Sequence, residues 1–228
     1  MIILGVDSSS KTASCAVLQK GKILAENFVN NGMTHSQTLL PLISQTLKAA
    51  NVTVSELGLI AVTKGPGSFT GLRIGMSTVK GMAAVNNTPC VGVSSLKAAA
   101  VSQLGFDGII CAVMDARCNQ VYNALFSGDG SRLCEDRALL IPELSDELKK
   151  LNKPVIFVGD GADLCYNTLK QQLKNVSKAE DPFVKGSCVA ILGRKAEGLS
   201  ADKLNPVYLR LPQAQRELLA KNKQKGLN

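Results

Sequence analysis

The segment Ile110-Cys111-Ala112-Val113-Met114-Asp115 repeats the pattern of Ile2-Ile3-Leu4-Gly5-Val6-Asp7 at an offset of 108 residues. One short match of this kind is common by chance, but here further matches follow in the same order. Val121-Tyr122-Asn123-Ala124-Leu125-Phe126 sits within a residue of where Thr12-Ala13-Ser14-Cys15-Ala16-Val17 would shift. The turn Gly128-Asp129-Gly130 parallels the one at Gly21, and Val155-Ile156-Phe157-Val158-Gly159-Asp160-Gly161 echoes an apolar run and glycine loop at 59–67. A duplicated strand–strand–strand–helix–strand–helix unit accounts for all of these and predicts two similar α/β domains. We place them at residues 1–104 and 105–204, with 205–228 packing back on the first.

Hydrophobic period and turn residues give strands at 2–7, 13–18, 22–29, 58–63 and 90–94. Helices are expected at 36–50, 69–86 and about 95–104, with Pro41 near the start of the first, where its missing N–H costs least. The segment Asn205-Pro206-Val207-Tyr208-Leu209-Arg210-Leu211-Pro212 reads as extended, and a terminal helix is expected from Gln213 onward.

The chain of 228 residues is 45 % hydrophobic and 19 % charged, an ordinary globular balance. No run of some 18 apolar residues is present, so no transmembrane helix is expected. Met1 to Asp7 lacks the basic start of a signal peptide and reads as a strand. The seven cysteines are odd in number, with no Cys-x-x-Cys pair. Reduced, mostly buried thiols in the cytoplasm fit this better than disulfides or a zinc site. The net charge of +8 suits an acidic partner or RNA. The bases are scattered, however, and are not interleaved with aromatics, which speaks against sequence-specific RNA reading.

Two places could carry chemistry. Gly65-Pro66-Gly67-Ser68-Phe69-Thr70-Gly71-Leu72-Arg73 links a strand to a helix. Either it cradles a phosphate at a helix N-terminus or it is a tight corner, with Ser68 or Thr70 as N-cap. It is not a Walker A loop, because no Gly-Lys-Ser or Gly-Lys-Thr follows. Asp7-Ser8-Ser9-Ser10-Lys11 ends the first strand with an acid and hydroxyls, which suit a metal-bound phosphate or, equally, a β-turn rich in turn formers. Asp115 is its counterpart, but Ala116-Arg117-Cys118-Asn119 follows it without glycine or hydroxyls. His35 is the only histidine, and Leu39 stands at i+4, where a helical metal site wants a second ligand. No metal site is therefore expected, and a Ser-His-Asp triad could only use His35.

The helix from 69 carries Gly71 and Gly75. A glycine inside a helix costs about 1 kcal/mol relative to alanine. We expect close approach of another helix, within the chain or from a partner, to offset that.

Asp7-Ser8-Ser9-Ser10, His35-Ser36-Gln37-Thr38-Leu39-Leu40-Pro41, the loop at 65–75, Gly92-Val93-Ser94-Ser95-Leu96, Met114-Asp115-Ala116-Arg117 and Pro206-Val207-Tyr208-Leu209-Arg210 resemble the bacterial TsaB (YeaZ) family over nearly the whole chain. The resemblance implies two duplicated actin-like (RNase H-like) domains with mixed sheets flanked by helices. It implies a noncatalytic subunit that works with TsaD and TsaE when threonylcarbamoyl is transferred to N6 of adenosine 37 in tRNAs reading ANN codons. It also implies a heterodimer with TsaD, a homodimer in isolation, and tRNA met only through the complex. Pairing runs through the helices at 36–50 and 69–86, and we assign His35, Leu39, Leu42, Ile43, Gly71, Leu72, Gly75, Met76, Thr78, Val79 and Met82 to that interface. Gly65, Pro66, Gly67 and Ser68 form a structural loop, while Asp7, Ser8, Ser9, Ser10 and Lys11 are a weak nucleotide site. No cofactor is expected to be held tightly by this chain alone, with ATP and Mg²⁺ placed at the complex interface. The alternatives are an autonomous actin-like ATPase or phosphotransferase, or a glycoprotease-like peptidase.

Overall fold

The computed structural model describes residues 1–210. The expected terminal helix from Gln213 lies outside the described residues. Strands β1 (Ile2–Asp7), β2 (Ala13–Gln19), β3 (Lys22–Val29), β4 (Leu59–Gly65) and β5 (Cys90–Ser94) form one sheet in the order β3-β2-β1-β4-β5. The second sheet comprises β6 (Ile109–Asp115), β7 (Gln120–Ser127), β8 (Arg137–Leu140), β9 (Val155–Val158) and β10 (Val176–Lys178), ordered β10-β9-β6-β7-β8. With the strands matched in chain order, β1 to β6 through β5 to β10, the two orders are the same. In both, the first strand is antiparallel to the second and parallel to the fourth.

The first and fourth strands of each sheet are buried on both faces, which explains their continuous apolar runs. Leu4, Val6, Ile60 and Val62 face an outer core under α1 (His35–Ala49) and α2 (Phe69–Ala83). On the second sheet Ile109, Cys111 and Val113 face the corresponding core under α4 (Ile141–Leu151) and α5 (Ala162–Leu169). The other faces share one core. Ile3 and Ala61 from the first sheet, and Ile110, Ala112, Tyr122 and Phe126 from the second, pack with α3 (Ser95–Val101) and α6 (Gly186–Gly193) between them. The molecule therefore has five layers: helices, sheet, helices, sheet, helices.

The middle layer interlocks the two repeats. Helix α3, from the first repeat, reaches β6 and β7; α6, from the second, lies on β1, β2 and β4. The Gly186 N–H donates to the Ser14 hydroxyl across 2.9 Å. A Cβ at Gly5 would run into the Gly186 carbonyl, so the first strand and α6 touch backbone to backbone. Leu199 then exchanges both backbone hydrogen bonds with Cys90. Residues 186–204 belong by packing to the first half.

Helix boundaries fall close to the expected ones. Pro41 lies well inside α1 instead of near its start. Ser68, not Thr70, caps α2 by accepting from the Gly71 N–H. No helix among the described residues is long and apolar enough to cross a membrane.

Candidate functional site: a phosphate-like turn closed by the chain itself

The turn after β1 and the loop after β4 emerge side by side because their strands are parallel neighbours. Asp7 is fully buried. Its Oδ1 accepts from the Ser9 N–H at 3.1 Å, the Ser9 hydroxyl at 2.6 Å and the Thr63 hydroxyl at 2.7 Å. Its Oδ2 is buried without a partner. Burial pushes the Asp7 carboxyl above its ordinary range, while the bonds from Ser9 and Thr63 pull it back.

Ser8, Ser9 and Ser10 are also buried, and only Lys11 of the five is exposed. The Ser8 hydroxyl donates to the Gly71 carbonyl, and the Ser9 carbonyl accepts from the Ser68 N–H at 2.7 Å. A Cβ at Gly67 would strike the Ser9 carbonyl oxygen; one at Gly71, the Ser8 carbonyl oxygen; one at Gly75, the Ser8 hydroxyl. The tightest approach to all three glycines is thus the β1–β2 turn of the same chain. The expected helix meets Gly71 only through the His35 ring of α1, 3.1 Å from where a Cβ would lie, and does not meet Gly75. Gly65 (φ 116°) and Gly67 (φ 157°) take backbone shapes reserved for glycine, and the Gly65–Pro66 peptide is cis.

His35 opens α1 and joins the same knot. Its Nε2–H donates to the Ser10 carbonyl at 2.7 Å, while its Nδ1 is buried and unpartnered. Among the described residues no three His, Cys, Asp or Glu side chains gather as a metal-holding group.

The partner assignment needs correction. Leu39, Leu42, Ile43, Met76 and Val79 belong to the outer core, Leu72 is buried beside Gly65, and none of the six is more than 4 % exposed. An amphipathic helix on a sheet buries its apolar stripe inward, so these side chains face this chain's own strands. Of the proposed set, Thr78, Met82 and His35 retain partial exposure. The outward face of the adjoining helices carries residues that sequence reasoning passed over: Leu40, 58 % exposed, with Arg73 and Ser77. Leu40 interrupts the apolar spacing of α1, and that was the available signal.

Facing the turn across the gap between the sheets are the β6–β7 loop and the end of β9. Asp160 accepts from the Asp115 N–H at 3.2 Å. Burial, then the nearby Asp115 and Asp7 carboxylates, push Asp160 up to about 6, against an opposing pull from the Asp115 N–H bond and Lys11. Arg117, Cys118 and Asn119 all have positive φ, a left-handed run that costs non-glycine residues about 1–2 kcal/mol each. All seven cysteines are unpaired, and Cys118 is exposed where a buried thiol was expected.

The last described segment ties both halves together. The Val207 N–H donates to the Lys64 carbonyl at 2.7 Å, and Tyr208 stacks on Phe69 with centroids 4.1 Å apart. Arg73 Nε donates to the Tyr208 hydroxyl, and the Arg210 guanidinium to the Ala116 carbonyl. Residues 205–210 therefore touch both halves.

The family model of TsaD, tRNA N6-adenosine threonylcarbamoyltransferase, matches residues 23–215. The tRNA threonylcarbamoyladenosine biosynthesis protein TsaB of Bacillus subtilis is 31 % identical over 229 residues, spanning 98 % of this chain and 100 % of that protein. This chain belongs to the TsaB family. Among solved structures, YeaZ from Pseudomonas aeruginosa superposes with a TM-score of 0.75 at 24 % identity, covering 91 % of this chain and 99 % of that one. An activator of 2-hydroxyisocaproyl-CoA dehydratase from Clostridium difficile, solved with ADPNP, has a TM-score of 0.53 at 10 % identity, covering 88 % and 100 %. These likenesses identify the fold as actin-like.

Proposed function

We propose that this chain serves the biosynthesis of threonylcarbamoyladenosine in tRNA as a noncatalytic partner of TsaD, with TsaE completing the assembly. The family relatives carry that pathway in their names, and their likeness to this chain supports the pathway. The observation that carries the noncatalytic role is the closure of the Asp7–Ser10 turn. A phosphate cradle needs free backbone N–H groups around an open space. Here the Ser9 N–H is spent on Asp7, and Gly67, Ser68 and Gly71 occupy the space over Ser8 and Ser9. On this reading the chain holds no nucleotide tightly by itself, works in the cytoplasm, and meets ATP and Mg²⁺ only at the complex interface.

Its contribution is then a surface, formed by the outward sides of α1 and α2 around Leu40, Arg73, Thr78 and Met82. The same surface serves pairing of two copies when TsaD is absent. Leu40 is exposed and Met82 half-buried, and methionine and arginine are enriched at protein contacts.

Reconstitution tests the role. TsaD, TsaE, the enzyme forming threonylcarbamoyl-adenylate and unmodified tRNA are incubated with and without this chain. Modification that depends on the chain, together with no modification by the chain alone, is expected. Full modification without it would overturn the proposal. Micromolar MgATP binding by the isolated chain, abolished in Asp7→Ala, would favour the ATPase reading instead.

A further inference from the structure

Charge is sorted along the second half. Asp115, Asp160 and Asp163 lie where β6 and β9 end and α5 begins, on the side facing the closed turn. Five lysines occupy residues 149–174: Lys149, Lys150, Lys153, Lys170 and Lys174. All lie at the opposite end, where α4 and α5 finish and β9 and β10 begin. The only acids in that span are Asp160 and Asp163, at the far end.

Two helix C-termini attract cations, and that accounts for some of these lysines. It does not account for their remaining so sparsely paired. Lys149 meets Asp146 at 3.5 Å and the Gln172 side chain at 3.5 Å, and Lys170 lies over the Tyr166 ring. Lys150, Lys153 and Lys174 have no carboxylate partner among the described residues. Lys149, Lys153 and Lys174 also line a cavity of about 240 Å³ with Leu148, Gln172 and Leu173. The hollow is basic, and Asn152, Asn175 and Val155 complete its lining.

We propose that this lysine-rimmed pocket binds the phosphodiester backbone of RNA. Spaced ammonium groups around a hollow suit a chain of phosphates, and such contacts add affinity without reading sequence. The choice of RNA over another polyanion rests on the function proposed above. The pocket lies on the second sheet, away from the outward face of α1 and α2, so RNA and a protein partner can be held together. It gives the chain a tRNA contact of its own, beyond the expectation that tRNA is met only through the complex.

The test is filter binding of unmodified tRNA to the full chain across a series of KCl concentrations. In Lys149→Ala/Lys153→Ala/Lys174→Ala, affinity at low salt should fall about tenfold or more. The slope of log K against log salt should shrink by about two to three, near one per phosphate contact removed. Lys22→Ala/Lys48→Ala/Lys97→Ala removes the same charge elsewhere and should leave the slope nearly intact. Equal losses in both variants would reduce the effect to net charge and overturn the proposal. So would absence of tRNA binding by the wild-type chain, or calorimetry showing that inorganic phosphate alone fills the pocket. A pocket variant that binds tRNA normally while the chain still supports modification would sink this inference and leave the partner role standing.

Discussion

The Ser8 hydroxyl donates to the carbonyl of Gly71 across 2.9 Å, joining the turn after β1 to the first turn of α2. That bond requires the helix backbone to come up against the turn, and the glycines at 71 and 75 permit it. The helix is notched to accept its own chain.

Gly71→Ala and Gly75→Ala should therefore each destabilise the fold, by about 1–3 kcal/mol, as expected for overpacking. Gly81 lies on the same helix with nothing near its missing Cβ. Gly81→Ala should stabilise, by up to about 1 kcal/mol, because alanine is the better helix former. Urea unfolding of the three variants checks the contrast. Equal effects at 71 and 81 would remove the steric account.

The outward and inward sides of α1 are adjacent in sequence. Leu40→Glu should leave stability within about 0.5 kcal/mol of the parent and weaken co-purification with TsaD at least tenfold. Leu39→Glu puts a charge into the core and should cost about 4 kcal/mol or more. If Leu40→Glu pairs normally, the interface lies elsewhere on the molecule.

Asp160 makes stability depend on pH in an unusual direction for a carboxylate. Its folded value of about 6 lies above the 3.8 of an unperturbed aspartate. Between these values the folded state holds a proton that the unfolded chain has released, so raising pH through this window lowers stability. Asp7 is shifted the same way. Asp160→Asn keeps an acceptor for the Asp115 N–H and should flatten this slope. It should also gain about 1–2 kcal/mol at pH 7, discounted for partial exposure. Thermal unfolding from pH 4 to 7 reads both effects, and an unchanged slope would exclude Asp160 as their source.

Tyr208 stacks on Phe69 and meets Arg73 at the surface. Tyr208→Ala should cost about 1 kcal/mol. It should also hasten proteolytic cleavage within Asn205–Arg210, followed by mass spectrometry. Unaltered cleavage would show that the backbone bond from Val207 to Lys64 holds the segment without the stack.

The strands were legible because their period and turn residues are local. Duplication was legible because Asp7 and Asp115 close matching apolar runs. The six misplaced interface residues failed for a definite reason: spacing shows that Leu39, Leu42 and Ile43 share a stripe, but not whether that stripe meets the chain's own sheet or a partner. Helix α6 was missed altogether. Gly-Ser-Cys-Val-Ala-Ile-Leu-Gly has almost no polar side to set a helical period, because the helix lies between the first sheet and α3 in the shared core. The bond from Ser8 to Gly71 spans 63 residues, and no pattern within a single element encodes it.

The placement of α6 bears on how this protein is made. During synthesis the strands of the first sheet leave the ribosome by residue 94, yet the helix that covers their inner face follows about a hundred residues later. Until then that face, with Ile3, Leu18 and Ala61, has no cover from α6. Whatever part of the first sheet forms on the nascent chain before then lacks that cover, and completion of the second repeat supplies it.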